Sequence, residues 1–150
     1  MTARRAALVT LVTAAALLLG TAGPATAADG LTVDITSPGE GAVLDGPDVI
    51  VKGTATTSGL YRMNGVSVQV TSVTNPGTFG CDRSCDGTSG GHSATFSYGR
   101  RLDFNGPYTV TVTAYDTLPL VGGERSTAVQ RRFKVEVPPA APRDVKVEAG

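Results

Sequence analysis

The chain has 150 residues, with 13 basic and 13 acidic side chains, two cysteines and one histidine. This balanced charge offers no basic face, which argues against nucleic acid as a partner. One histidine also leaves little material for a metal centre or a histidine-based catalytic cluster.

The first 27 residues have the organisation of a secretory signal peptide. A basic start at Arg4-Arg5 precedes an apolar run over residues 6–19, and Ala25-Thr26-Ala27 offers the small residues that signal peptidase accepts. The apolar run is shorter than the roughly 20 residues that a membrane-spanning helix needs. We therefore expect Sec export, cleavage after Ala27, a secreted or cell-surface location and no membrane span in the mature chain. Cleavage removes two arginines and no acidic residue, so the formal charge falls from zero to −2.

The rest of the chain alternates apolar and polar residues, and a period of two is typical of strands with one buried face. Predicted strands cover residues 31–36, a short re-pairing at 42–44, and then 49–55, 66–71, 94–98, 107–115 and 128–137. About seven short strands with turn residues between them predict an all-β antiparallel sandwich. The residues predicted to face inward are Leu31, Val33, Ile35, Val49, Val51, Ala55, Val66, Val68, Val70, Phe96, Tyr98, Tyr108, Val110, Val112, Ala114, Phe133, Val135 and Val137.

Two inward positions do not carry ordinary core residues. Gly53 shares a face with Val49 and Val51, and its missing side chain predicts that something large sits over it. Arg131 also falls on the inward parity of its strand, which predicts a bulge or an edge position there.

Cys81 and Cys85 are predicted to form a disulfide, because an exported protein meets oxidising conditions. The three intervening residues do not match the C-x-x-C redox spacing, and a metal site would lack further ligands. Such a small ring contributes about 2 kcal/mol at best, so the bridge is expected to shape a loop and not to hold the sandwich together.

Two predicted loops, residues 75–92 and 116–125, carry the candidate binding residues. Loops longer than about 12–15 residues are usually functional or disordered, and the disulfide argues against simple disorder in the first of them. Calcium binding by Asp82 and Asp86 and glycan binding by surface aromatics (Tyr61, Phe79, Phe104 and Tyr115) stay open as alternatives to solvated turns. The apolar stretch around Leu118 either contacts a neighbouring domain or packs back over the end of the sandwich. The full candidate set is Phe79, Asp82, Arg83, Asp86, His92, Leu118, Leu120 and Val121.

Residues 31–137 resemble a bacterial immunoglobulin-like (Ig-like) domain. The resemblance is carried by Ile35-Thr36-Ser37-Pro38 with Gly41-Ala42-Val43, then residues 49–55 and 106–116. It implies an Ig-like sandwich of a secreted or surface modular protein, with Tyr108 at the position of the tyrosine corner and a first strand split in two. The cysteine-bearing loop departs from the family, which defines no catalytic residues. Residues 138–150 are a proline-rich linker with a Val-x-Val end similar to the opening strand of a fibronectin type III domain.

Taken together, the sequence favours a non-catalytic module, residues 28–137, that serves as a spacer or protein-interaction domain of a larger exported protein. The alternative is a stand-alone secreted protein that binds a ligand or glycan through the 75–92 and 116–125 loops. We expect no enzyme activity, no cofactor and no metal, and a neighbouring domain or extracellular protein as the partner.

Overall fold

The structure is a computed structural model that describes residues 30–85 and 90–140. The predicted signal peptide, Asp86 and the Val-x-Val segment lie outside these residues. The described chain is all-β, as predicted, and forms two sheets packed as a sandwich. Its strands are β1 (Thr32–Ser37), β2 (Ala42–Leu44), β3 (Asp48–Thr56), β4 (Arg62–Ser72), β5 (Thr78–Cys81), β6 (Ser93–Arg101), β7 (Gly106–Thr117) and β8 (Glu124–Val135).

The first predicted strand is divided between the two sheets. One sheet has the order β1-β3-β6 and the other the order β2-β8-β7-β4-β5. Strand β1 pairs antiparallel with β3, whereas β2 pairs parallel with β8 in the opposite sheet. Pro38 and Gly41 lie in the connection, where proline and glycine interrupt strand pairing. The interruption and the brief re-pairing at residues 42–44 were predicted and are confirmed, whereas the change of sheet was not predicted.

The core lies between the sheets and consists of the side chains on the inward parity of each strand. Of the residues predicted to face inward, Tyr98 is half-buried and Val137 is 36% exposed, and the others are buried. Tyr98 lies on β6, at the edge of its sheet, where a residue has a paired strand on one side only. Val137 was wrongly included because β8 ends at Val135, two residues earlier.

Gly53 allows Phe96 to pack over the middle of the three-stranded sheet. A Cβ atom at Gly53 would stand 2.4 Å from Cζ of Phe96 and 2.0 Å from the carbonyl oxygen of Asp34. Gly53 and Phe96 are direct partners in the β3–β6 pair. The prediction that a large group sits over this glycine is confirmed.

Several strand boundaries differ from the prediction. Strand β4 begins at Arg62 and β8 at Glu124, each four residues before its predicted start at 66 or 128. Residues 78–81, expected within a loop, form β5 at the edge of the five-stranded sheet beside β4. Strand β7 continues to Thr117, so Asp116 belongs to a strand and not to a loop. At Arg131 the β7–β8 register is regular, and no described strand pairs with the other side of β8 there because β2 pairs only with residues 133–135. Of the two predicted alternatives for Arg131, a bulge or an edge position, the structure shows the edge position.

The chain enters and leaves the sandwich at opposite ends. Thr32 pairs with Thr56, where β3 ends, and the β3–β4 and β7–β8 loops lie at this same end because Arg62 pairs with Thr117 and Thr117 with Glu124. We call this the proximal end. The chain departs after Val135 at the other, distal end, where Val135 pairs with Gly106, the first residue of β7.

Candidate functional site

The two loops predicted to carry binding residues are joined by a bidentate ion pair between Arg83 and Glu124. Both guanidinium NH groups of Arg83 donate to the Glu124 carboxylate at 2.6 Å, and Asn64 donates to it at 2.8 Å. The hydrogen bonds from Arg83 and Asn64 hold the pKa of Glu124 below its ordinary value, and the same carboxylate raises the pKa of Arg83. The disulfide loop and the β7–β8 hairpin therefore form one surface at the proximal end.

The Arg83 side chain also covers an aromatic ring. Its guanidinium carbon lies 4.2 Å from the centroid of Tyr115, a cation–π distance. Arg83 itself has a left-handed backbone with φ of 57°, inside the ring closed by the Cys81–Cys85 disulfide. The predicted disulfide is confirmed. Cys81 lies on β5 and both cysteines are half-buried against the core, so the bridge fixes the loop that carries Arg83.

A second ion pair fixes the base of the β7–β8 hairpin. Arg125 donates from Nε to Oδ1 of Asp116 at 3.0 Å and from Nη2 to Oδ2 at 2.7 Å. Thr57 in the β3–β4 loop donates to the same carboxylate at 2.6 Å, and the Arg125 guanidinium lies 3.4 Å over the Tyr61 ring. Burial alone would raise the pKa of Asp116, but the hydrogen bonds from Arg125 and Thr57 outweigh it and lower that pKa.

His92 fastens the start of β6 to the β3–β4 loop. Its carbonyl accepts a hydrogen bond from the Thr57 amide at 2.8 Å, and its Nε2 contacts the Arg62 guanidinium and lies 3.0 Å from the Gly59 carbonyl oxygen. In the described chain the ring contacts the Arg62 guanidinium and the Gly59 carbonyl oxygen. A catalytic histidine would instead contact a nucleophile and an orienting carboxylate. This geometry supports a structural role for His92, which holds the β3–β4 loop against the start of β6.

Asp82 makes a local bond. Its Oδ1 accepts from the Ser67 hydroxyl at 2.6 Å, and the same hydroxyl accepts from the Arg83 amide at 3.0 Å. The predicted second calcium ligand, Asp86, lies outside the described residues. Among residues 30–85 and 90–140, no group of three histidine, cysteine, aspartate or glutamate side chains could hold a metal ion.

The hairpin tip projects apolar side chains into solvent. Leu120 is 106% exposed and Val121 is 78% exposed, while Leu118 is half-buried at the base of the loop. On the neighbouring β3–β4 loop, Leu60 is 76% exposed. Of the two alternatives for this stretch, packing back over the sandwich does not describe Leu120 or Val121.

Three of the four aromatic residues proposed for glycan contact are covered on one face by a guanidinium group. Arg83 lies over Tyr115, Arg125 over Tyr61, and Arg100 over Phe79 at 4.3 Å. Phe104, at the distal end, is 55% exposed. These guanidinium–ring contacts could not be predicted from the sequence, because each joins residues on different elements.

Nine residues of β4, β5 and β7, together with Asp82 after β5, line a groove on the five-stranded sheet, with a volume of about 380 Å³. The outward side chains in it belong to Ser67 and Gln69 on β4, Thr78 on β5, Thr113 and Tyr115 on β7, and Asp82 after β5. Of these, Asp82 was predicted as a candidate site residue and Tyr115 as a surface aromatic, and the other four were not predicted. A strand's outward polar residues look alike in a sequence whether or not a groove forms beside them.

Comparison with known proteins gives no family for the chain. No protein-family model matches it, and no curated protein sequence matches it at a significant level. Within the described residues, no helix has the length and hydrophobicity needed to cross a bilayer.

Proposed function

We propose that residues 28–137 form a non-catalytic Ig-like module of an exported protein, which acts as a spacer or protein-interaction domain. The division of the first strand between two sheets supports the Ig-like assignment. So does the Tyr108 hydroxyl, which donates to the Phe104 carbonyl oxygen four residues upstream at 2.7 Å, in the manner of a tyrosine corner.

The observation that carries the spacer role is that the chain enters and leaves the sandwich at opposite ends. The chain enters at the proximal end, where Thr32 meets Thr56, and departs at the distal end after Val135. A module built this way adds its full length to a string of domains. The departing chain is also held in a fixed direction, because the Asn105 side chain accepts from the Val137 amide at 3.0 Å and donates to the Val137 carbonyl at 3.1 Å.

The interaction role draws on the hairpin tip. Leu120 combines an exposure of 106% with a left-handed φ of 73°, a conformation in which glycine is unstrained and leucine is not. Neither property favours folding. An exposed apolar residue that is kept in a strained turn is typical of a contact surface.

The intact mass of the native secreted product tests this proposal. We expect a product that begins at Ala28 and is heavier than a chain ending at Gly150. A secreted product that ends at Gly150 would contradict the spacer role and favour a stand-alone protein. A product that retains residues 1–27 inside the cell would contradict export itself.

A second candidate function is ligand binding by the 75–92 and 116–125 loops of a stand-alone secreted protein. The specific observation in its favour is the Arg83–Glu124 pair, which fixes the two loops against each other. Preorganised loops lose less conformational entropy when a ligand binds. In an amide-resolved NMR titration with a ligand, this candidate requires shifts in or beside the two loops.

A further inference from the structure

The groove on the five-stranded sheet is a site separate from the apolar tip. It runs between β4, β5 and β7, and its volume of about 380 Å³ falls within the roughly 300–1,000 Å³ of small-molecule sites. Gly80 brings β5 close to β4, because a Cβ atom there would stand 2.1 Å from the Val68 carbonyl oxygen. The residues that line the groove are Ser67, Val68, Gln69, Thr78, Phe79, Gly80, Cys81, Asp82, Thr113 and Tyr115.

Hydrogen-bond donors and acceptors both face this groove. The Gln69 amide and the hydroxyls of Thr113 and Tyr115 are each donor and acceptor. None of these three side chains makes a hydrogen bond to another described residue, whereas Thr111 on the same face of β7 accepts from Gln130. The Asp82 carboxylate adds an acceptor, which Ser67 holds in place through one of its two oxygens.

The charge and the aromatic surface of the groove narrow the ligand class. Asp82 is the one charged side chain among the lining residues. The Arg83 charge beside it is matched by Glu124, and the Arg100 guanidinium lies over the ring of Phe79, one of the lining residues. The lining itself therefore favours a neutral ligand over an anionic one. Tyr115 is held by Arg83 on one face, so its ring has a fixed orientation at one end of the groove.

We propose that this groove binds a neutral mono- or disaccharide. A sugar presents hydroxyls that both donate and accept, which suits the side chains of Gln69 and Thr113 and the carboxylate of Asp82. Its apolar ring edge suits an oriented tyrosine. The inference supplies a ligand class for the second candidate function, ligand binding through the loops, and rests on it.

Amide-resolved NMR titration of residues 28–150 tests this inference. Every buried residue described lies between Leu31 and Val135, so this chain retains the sandwich core. The probes are glucose, galactose, N-acetylglucosamine, maltose and cellobiose, each raised to about 20 mM to detect millimolar dissociation constants. We expect at least one probe to shift the amides of Gln69, Gly80 and Thr113, and glucuronate to shift them less than glucose does.

Two valine variants on one strand provide a matched comparison. Thr113→Val removes a hydroxyl from the groove, and Thr109→Val removes one from the same face of β7 outside it. Loss of one hydrogen bond is expected to raise the dissociation constant about five- to tenfold for Thr113→Val. Thr109→Val should change it less than about twofold.

Each other outcome overturns the groove assignment. Shifts confined to residues 118–123 would place sugar binding at the tip, which overturns the groove and keeps ligand binding by the loops. Equal effects of the two valine variants would show that the hydroxyl at 113 does not touch the sugar. No shift with any of the five sugars would overturn the ligand class. The intact mass of the secreted product would then decide separately whether the protein is a stand-alone one, as the second candidate function requires.

Discussion

Asp116 and Arg125 face each other across the β7–β8 pair, with the Asp116 carboxylate fully buried and the Arg125 side chain 24% exposed. Both carboxylate oxygens accept from the guanidinium, and one also accepts from Thr57. The same guanidinium lies over Tyr61. One ion pair thus joins the hairpin to the β3–β4 loop and fixes the loop arrangement at the proximal end.

Removing this carboxylate should destabilise the fold. We expect Asp116→Ala to lower the free energy of unfolding by about 3 kcal/mol, the lower part of the range for breaking a buried pair, because Arg125 keeps some contact with water. Urea unfolding followed by circular dichroism measures the change. Asp48→Ala is the matched control, since Asp48 and Arg101 are 3.9 Å apart and both 71% exposed. Its effect should stay below about 0.5 kcal/mol, and similar losses in the two variants would contradict the prediction.

The same carboxylate should make stability depend on pH. The pKa of Asp116 is lower in the folded protein than in the unfolded chain, so the unfolded chain binds more protons as the pH falls. The stabilisation is therefore present above the unfolded value of about 3.9 and is lost as the pH falls through the folded pKa. Urea midpoints between about pH 6 and pH 2 should decrease more steeply for the native protein than for Asp116→Asn. Parallel curves would assign the acid sensitivity to other groups, of which Glu124 is the first to test.

The strands and most of the core followed from alternation, because burial on one face of a strand leaves a local pattern. Val110 and Val112 are examples. Alternation placed Tyr108 on the buried face, but it did not predict the bond from its hydroxyl to the Phe104 carbonyl. Asp116 continues this parity two residues beyond Ala114, yet an aspartate before a turn suggests a loop. Its burial depends on Arg125, which only the hairpin pairing reveals.

Other parts of the site could not be read from local sequence. Strand β5 has one large apolar residue, Phe79, and forms because β4 offers an edge to pair with. The Arg83–Glu124 pair joins residues 41 positions apart, and no periodicity reports such a contact. The groove likewise depends on the packing of three strands.

The disulfide should affect the loop more than the fold. Replacing Cys81 and Cys85 with serine is expected to lower the free energy of unfolding by at most about 2 kcal/mol, the chain-entropy value for a five-residue ring. The far-ultraviolet circular dichroism spectrum should remain that of a β protein. Loss of cooperative unfolding would show that the bridge holds the sandwich together, contrary to this expectation.

The hydrogen bond from the Tyr108 hydroxyl to the Phe104 carbonyl can be tested by removing one oxygen atom. Tyr108 is 2% exposed and stacks on Phe133 with ring centroids 5.5 Å apart, so Tyr108→Phe keeps the packing and loses the bond to the Phe104 carbonyl. We expect a loss of about 1 kcal/mol in urea unfolding. Tyr98→Phe is the control, because the Tyr98 hydroxyl makes no hydrogen bond to a described residue and the ring is half-buried. A loss as large in the control would contradict a stabilising contribution from the Tyr108 hydrogen bond.

Glycine at position 120 should be tolerated or favourable for folding. Leu120 has a φ of 73°, where a side chain costs about 1–2 kcal/mol, so Leu120→Gly relieves strain that offsets the greater backbone entropy of glycine in the unfolded chain. We expect the free energy of unfolding to stay unchanged or to rise by up to about 1 kcal/mol. Val121 is also exposed but has no positive φ, so Val121→Gly should lower stability by about 0.5–1 kcal/mol. If both variants lose the same stability, leucine costs the fold nothing at position 120. The case for a tip kept for contact would then rest on exposure alone.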